Sequence, residues 1–337
     1  MGTVTIIDVA RKAGVAPATV SHALNGKRPV NDATRRRIFQ VIRELGYVPN
    51  HTASRLRSGK SGIIGCYASD ITESFANLIV RGAECALSGN GSSLLFASGV
   101  ELGTNIDRAL EFFRAYNVDG ILVCNHLTEN ALEAQRLVTA NIPLVAVNST
   151  IDGVTSIVPD NYAGGMQEAE HLVASGCHHP ALIKGPAQRE AVTMRSRGFL
   201  DRLKELGVAI PEALILEGDY SFQSGMQATQ EILSSHPETD GIFCANDYVA
   251  AGAITAAQQM GRAVPDNLLV LGFDNREFSA FWPIPISTFK PPLEQMGQLG
   301  MQLLLGQIQN PDRPPRGEVT KMPAALIIRK STCRPIV

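Results

Sequence analysis

The residues best suited to chemistry stand at the front of the chain. Across residues 17–24, Pro-Ala-Thr-Val-Ser-His-Ala-Leu, helical spacing puts Val20, Ala23 and Leu24 on one face and leaves Ala18, Thr19, Ser21 and His22 on the other. An outward face of this kind, on a short helix after a glycine turn, is what a recognition helix presents to DNA. Lys27 and Arg28 follow, and Arg35, Arg36 and Arg37 open the next helical stretch. From such positions cations meet phosphates and add affinity that ignores sequence. Residues 1–60 hold eleven Lys and Arg against three acids, although the 337-residue chain as a whole has a net charge of −2. A basic module on an acidic body implies that only the front end meets a polyanion.

Other chemistries lack their residues. There is no Gly-x-Ser-x-Gly elbow, no phosphate-binding Gly-Lys-Ser/Thr loop and no His/Cys/Asp cluster at metal spacing, so no catalytic residue, metal or cofactor is expected. His178-His179 reads as a solvated turn. The cysteines at 66, 85, 124, 177, 244 and 333 form no CxxC pair, and Cys66, Cys124 and Cys244 lie in apolar, strand-like runs as small buried hydrophobes. The start, Met-Gly-Thr-Val-Thr, has no apolar signal core and no run of 18 apolar residues follows, which predicts a protein of the reducing cytoplasm with no membrane partner.

Three zones must position these residues. Residues 1–49 read as short helices at 5–12, 17–24 and 32–45. Thr5 and Asp8 make a capping-box start, Gly14 supplies the turn, and Pro17 suits a first helical turn. This is the spacing of a helix-turn-helix with 17–24 as recognition helix. Residues 50–61 are a polar, basic connector. From residue 62 to 337 short apolar strands (63–68, 93–97, 119–124, 143–147, 180–184, 241–245, 268–273) alternate with amphipathic helices such as 75–87, 106–116, 164–174, 194–206, 225–233, 249–260 and 293–308. That alternation builds parallel sheets with right-handed crossovers, and the number of units predicts two α/β lobes.

The first zone also carries a specific pattern: Asp-Val-Ala-x-x-Ala-Gly-Val, Thr-Val-Ser-x-x-Leu-Asn, Val-x-x-x-Thr-Arg and Leu-Gly-Tyr-x-Pro-Asn, all within 45 residues. It closely resembles the headpiece of the lactose/galactose repressor (LacI/GalR) family of transcription regulators. The resemblance implies that Pro17, Ala18 and His22 face the major groove of a pseudo-palindromic operator, and that Thr19, Ser21 and Asn25 hold its backbone. Thr5, Arg28, Thr34 and Tyr47 fall on further family positions assigned to DNA. The connector resembles the family's hinge helix, which folds on DNA. Asn50 and Ala53 belong to it, and Leu56 aligns with the leucine that wedges into the central base step. One departure is Ala16, where many members have Ser or Thr, so a capping and phosphate-binding hydroxyl is missing.

Residues 62–337 resemble the family's regulatory core, which has the two-lobed fold of periplasmic sugar-binding proteins. Shared signatures are Val118-Asp119-Gly120-Ile121, Asp160-Asn161 with Gly164, Gly185-Pro186, Arg195 with Gly198-Phe199, Asn246-Asp247 and Gly272-Phe273-Asp274-Asn275. Lobe 1 is expected at about 62–161 and 291–320, lobe 2 at about 162–290 and 321–337. The implied ligand clamp takes Arg195, Asn246 and Asp274 from strand ends and helix starts, with Tyr220 and Phe222 to cover a sugar ring and Ser69, Asp70 and Phe75 from lobe 1. A sugar, sugar acid or polyol is preferred as effector. Arg189 falls where the purine-responsive branch has an arginine, which keeps a nucleobase open, and a phosphocarrier co-effector is a further alternative. Paired headpieces on a two-fold operator imply a homodimer, with Trp282 near the family's subunit contact and no tetramer-forming tail after Val337. A periplasmic binding protein would need a signal peptide and would not carry residues 1–60.

Overall fold

The computed structural model describes residues 4–25, 28–47, 60–68, 74–99, 106–124, 131–187, 189–311 and 317–333. The expected hinge residues Asn50, Ala53 and Leu56 and the loop residues Ser69 and Asp70 lie outside the described residues. The chain divides into two compact units, Met1–Ser61 and Gly62–Val337.

The first unit contains helices α1 (Ile6–Ala13), α2 (Pro17–Asn25) and α3 (Asp32–Leu45). Its core is Val9, Ala10 and Ala13 of α1, Val20 and Ala23 of α2, and Ile38 and Val41 of α3, with Leu24 and Tyr47 packed at the margin. Each of these falls on the apolar face that 3.6-residue periodicity assigns. Thr5 caps α1: Asp8 N–H donates to Thr5 Oγ1 and Thr5 N–H to Asp8 Oδ2 (3.4 and 3.0 Å). The Thr5 hydroxyl, which donates to Asp8 Oδ2 (2.7 Å), and then the Thr5 N–H hold the Asp8 carboxyl below its usual range. Gly14 ends α1 at φ 63°, a conformation costly for a residue with a Cβ. Ala16 offers α2 only its carbonyl, which accepts from Thr19 and Val20 N–H.

The second unit holds two parallel sheets. The strands are β1 (Ile63–Ala68), β2 (Ser93–Ser98), β3 (Gly120–Cys124), β4 (Leu144–Val147), β5 (Thr155–Pro159), β6 (Pro180–Lys184), β7 (Ile215–Glu217), β8 (Gly241–Cys244), β9 (Leu269–Leu271), β10 (Thr288–Lys290), β11 (Val319–Met322) and β12 (Ala325–Ile327). The helices are α4 (Ser74–Leu87), α5 (Ile106–Ala115), α6 (Ala131–Thr139), α7 (Asn161–Ala174), α8 (Glu190–Glu205), α9 (Phe222–Ser235), α10 (Asp247–Gln259) and α11 (Leu293–Gln309). One sheet has the order β11-β5-β4-β3-β1-β2, the other β7-β6-β8-β9, and β10 and β12 form an antiparallel ribbon. Side chains alternate across each sheet. Ile64, Cys66, Leu122 and Val145 face α4 and α11, while Tyr67, Ile121, Val123 and Leu144 face α5 and α6. In the smaller sheet Ala181 and Ile183 face α9 and α10, and Leu182 faces α7 and α8. Burial on both faces explains why these strands read as apolar runs.

Several strands have no such run. β5 reads Thr-Ser-Ile-Val-Pro, β11 is an edge strand, and β7, β10 and β12 span three residues each. They are strands because neighbours supply hydrogen bonds, not because their own composition demands it. The chain passes between the sheets after β5, after β10 and after β11, so the lobes are joined by three segments along the described chain.

One helix crossing positions the site. A Cβ on Gly198 would lie 2.1 Å from Tyr162 O, and one on Gly165 2.1 Å from Arg195 O. Helices α7 and α8 therefore meet backbone to backbone, which brings Arg195 beside the start of α7. None of the six cysteines is in a disulfide. Among the described residues no helix is long and apolar enough to cross a membrane.

Candidate nucleic-acid interface and ligand cleft

In the headpiece, α2 turns Val20 and Ala23 into the core. Pro17 and Ala18 are exposed, and Thr19, Ser21 and His22 are half-buried on the opposite face. The side chain of Asn25 lies outside the described residues. Thr5 and Arg28 are exposed, Thr34 is half-buried near the start of α3, and Tyr47 leans on the headpiece core. Arg35, Arg36, Arg37 and Arg43 are exposed along α3, Arg35 with its guanidinium 5.9 Å from the Phe39 ring centroid. The face contains no acid in α2 and one in the first turn of α3, Asp32, so its field favours an anionic partner.

In the second unit, the described ligand candidates gather where strands end and helices begin. Arg195 is the most firmly held. Its Nη1 donates to Ala245 O (2.8 Å), its Nη2 to Asn161 Oδ1 (2.9 Å), and its plane lies 3.2 Å from the Phe273 ring centroid. Asn246 is buried and caps α10: its Oδ1 accepts from Val249 N–H (2.8 Å) and its Nδ2 donates to Tyr220 O (3.1 Å). The second bond ties down Tyr220, which adopts φ 70° and lies 5.3 Å beneath the Arg189 guanidinium. Phe222 is less available than the sequence expectation implied, because its ring packs on the lobe-2 core and on Trp282 at 6.0 Å. Trp282 is likewise packed inside lobe 2, against Phe222 and Phe278, whereas its neighbour Phe281 is 81% exposed. His178 and His179 form the expected turn, closed by their backbone N–H groups on Asp240.

Asp274 follows β9 with φ 102°, its N–H donating to Phe289 O (2.8 Å). A non-glycine residue in that region is strained, and such strain concentrates at ligand sites. Asn275 follows at φ 50°, tied by Thr288 Oγ1 and by Arg329 Nη2 (3.1 and 2.6 Å). Beneath them Asp247 is fully buried and accepts from Thr288 Oγ1 and Arg276 N–H, both at 2.6 Å. Burial first, and the nearby Asp274 second, push its pKa up to about 7.

Sequence reasoning missed three groups. Asn161 and Phe273 lie within shared signatures of the chain, but their hold on Arg195 is visible only in the fold. Arg276, two residues past Asp274, spans to Phe75 at the start of α4, its guanidinium 4.6 Å from that ring centroid and 4.9 Å from the ring of Tyr248. Glu168 on α7 is fully buried with neither carboxylate oxygen hydrogen-bonded. The available signal was a charge on the apolar face of α7, four residues from both Gly164 and Leu172.

Family comparisons agree with this layout. Residues 5–50 match the model of bacterial regulatory proteins, lacI family, and residues 169–332 match a periplasmic binding protein-like domain. The ribose operon repressor of Bacillus subtilis is 32% identical over 328 residues, covering 97% of this chain and 98% of that protein. The chain belongs to the lacI family. This lacI-family protein is a DNA-binding transcription regulator under small-molecule control and not an enzyme. The transcriptional repressor PurR of Edwardsiella ictaluri is 32% identical with 90% of each chain covered. Among solved structures, the lac repressor dimer bound to operator and an anti-inducer matches with TM-score 0.81 at 28% identity, covering 99% of this chain and 100% of that one. The regulator CelR with cellobiose matches with TM-score 0.71 at 29% identity, covering 97% and 99%. Among the described residues no cluster of three His, Cys, Asp or Glu side chains is arranged for a metal.

Proposed function

We propose that this regulator is a homodimeric repressor in the cytoplasm, associated with the nucleoid. Its headpieces bind a two-fold operator, and the affinity is changed by a carbohydrate-type effector held around Arg195 and Asp274. The observation that carries this is the presence in one chain of a helix-turn-helix, with Ala18, Thr19, Ser21 and His22 turned away from its core, and a second, two-lobed unit whose polar residues meet at strand ends. Paired headpieces match the two-fold symmetry of an operator, and a lac repressor dimer on its operator supports the same arrangement here. A cellobiose-bound neighbour and ribose operon repressors favour a sugar, sugar acid or polyol. The PurR relatives and the position of Arg189 over Tyr220 sustain the purine alternative.

The switch couples lobe angle to the spacing of the two headpieces, with a coupling energy of roughly 1–3 kcal/mol. Residues 50–57 join headpiece and core, and Leu56 is assigned the wedge into the central base step. Asp274→Ala tests the clamp. Sugars, sugar acids, polyols and purines are screened by calorimetry against the full chain, and the tightest ligand is tested on operator release. The variant should bind that ligand about tenfold more weakly, the loss of one good charged hydrogen bond, yet retain duplex affinity. An unchanged ligand response would remove Asp274 from the site.

A further inference from the structure

We propose that Asp119 is a positioning residue for operator recognition: its carboxylate pins the Gly62 N–H where the connector from the headpiece enters the regulatory core, and so fixes the direction in which that connector leaves lobe 1. The inference rests on the operator-binding reading above, in which paired connectors order on the duplex, and it assigns that reading a residue of the core.

The anchor uses both polar groups of one glycine. Gly62 is the first residue of the second unit and immediately precedes β1. Its N–H donates to Asp119 Oδ2 at 2.6 Å, and its carbonyl accepts from Ser93 N–H at 2.9 Å. Asp119 also donates its own N–H to Ile63 O at 2.8 Å, so it grips the chain at two consecutive residues. A hydrogen bond to a carboxylate is shorter and roughly twice as strong as one between neutral groups. Gly62 adopts φ 67°, a left-handed conformation that bends the incoming chain just before the strand starts.

Position gives the anchor its meaning. Asp119 stands at the bend before β3 and Ser93 opens β2, and these two strands flank β1 in the six-stranded sheet. The register of the sheet does not need the carboxylate, because backbone pairing from Ile63–Ser93 and Ile64–Gly120 onward already sets it. What the carboxylate adds is a fixed exit for the residues before Gly62. From there β1 runs six residues, roughly 20 Å, to Ala68. Next in the order of elements is α4, whose Phe75 meets Arg276 of lobe 2. One strand thus carries the connector at one end and leads to the cleft at the other, so a rotation of lobe 1 is delivered at Gly62.

Two kinds of DNA binding should respond differently. Phosphate contacts made by the headpieces supply non-specific affinity and do not depend on where the connectors start. Operator affinity does, since a connector too short to be helical alone must be ordered beside its partner. A loose exit at Gly62 adds orientations that have to be lost on the operator and leaves the non-specific mode as it was.

The test uses the full-length protein and a duplex cut from the genomic fragment that it enriches most at low salt, with a shuffled duplex of the same composition as control, both read by fluorescence anisotropy. Asp119→Ala should lower the ratio of enriched to shuffled affinity about tenfold, the loss of one charge-assisted hydrogen bond. Asp119→Asn, which keeps an oxygen to accept the Gly62 N–H, should retain most of the ratio. Gly62→Ala leaves the carboxylate in place but strains the left-handed backbone, and it should lower the ratio as well. Thermal melting identifies a role in stability alone: Asp119→Ala would then melt earlier with its ratio unchanged, which would overturn the inference. Equal losses in the alanine and asparagine variants would overturn it too, because the accepting oxygen would not matter. If the unsubstituted protein prefers no genomic fragment, the operator reading fails and the anchor with it. If it does prefer one, and the ratio survives both Asp119→Ala and Gly62→Ala, only the anchor falls.

Discussion

Arg195→Ala is expected to weaken effector binding by about 100-fold or more while duplex binding in the absence of effector persists. The side chain is both a contact and a strut. It ties α8 to Ala245 O after β8 and to Asn161 at the start of α7, and it covers the Phe273 ring. Hydrogen bonds involving a charged group contribute about 1.5–3 kcal/mol each, and the half-buried partners left behind add their own desolvation cost. Alanine loses both bonds and opens a void against Phe273, so the unit from Gly62 onward should also unfold at lower urea, by roughly 2–4 kcal/mol. Calorimetry with the tightest screened ligand and urea titration measure the two effects. A change of threefold or less in affinity would mean that Arg195 only shapes the fold and that the effector sits elsewhere.

Glu168→Leu is expected to stabilise the same unit by about 1–3 kcal/mol at pH 8, because an unsatisfied buried carboxyl is replaced by an apolar side chain of similar size. The sign of the pH effect follows from linkage. Burial raises the folded pKa of Glu168 well above its ordinary value of 4.5, with Arg195 opposing the rise and Asp274 adding to it. A carboxyl raised on folding favours the native state below its unfolded pKa. That contribution is lost as pH climbs through the folded value. Stability of the native protein should therefore fall from about pH 4.5 upward, and the leucine variant should show a shallower fall. What remains ends near pH 7, where Asp247 completes its own loss: it titrates near 3.8 when unfolded and about 7 when folded. Urea midpoints at pH 5, 6, 7 and 8 measure this. A leucine variant that is less stable at pH 8, with the original pH slope, would show that Glu168 has a partner in the folded protein that satisfies it.

The headpiece was the most legible part of the sequence, because local rules decide it. The third helix runs from Asp32 to Leu45 as expected, bounded by an Asn31 cap and by Gly46 in the left-handed region. The first is Ile6–Ala13 rather than 5–12, since Thr5 is the cap and not the first helical residue. Doubly buried strands such as β1, β3 and β6 were equally clear as apolar runs. What escaped was decided by tertiary context. The strand at 268–273 shrinks to Leu269–Leu271, because the chain leaves the sheet at Gly272 to place Asp274 and Asn275 in strained conformations. The same neighbourhood hid Arg276, whose meaning depends on Phe75, some two hundred residues earlier. Asn246 is a further case: the two bonds by which its side chain caps α10 and ties Tyr220 depend on tertiary context and are invisible in the sequence.

The most direct test of the central claim offers sheared duplex from the organism's own genome to the full-length protein at low salt, with and without a metabolite extract, and sequences what is retained. A small set of fragments sharing a two-fold-related motif should be enriched. Val20→Asp, which drives a charge into the headpiece core, should lose that enrichment while the larger unit remains folded. Retention of no particular fragment under either condition, or enrichment that survives Val20→Asp, would contradict the assignment of sequence reading to the first fifty residues.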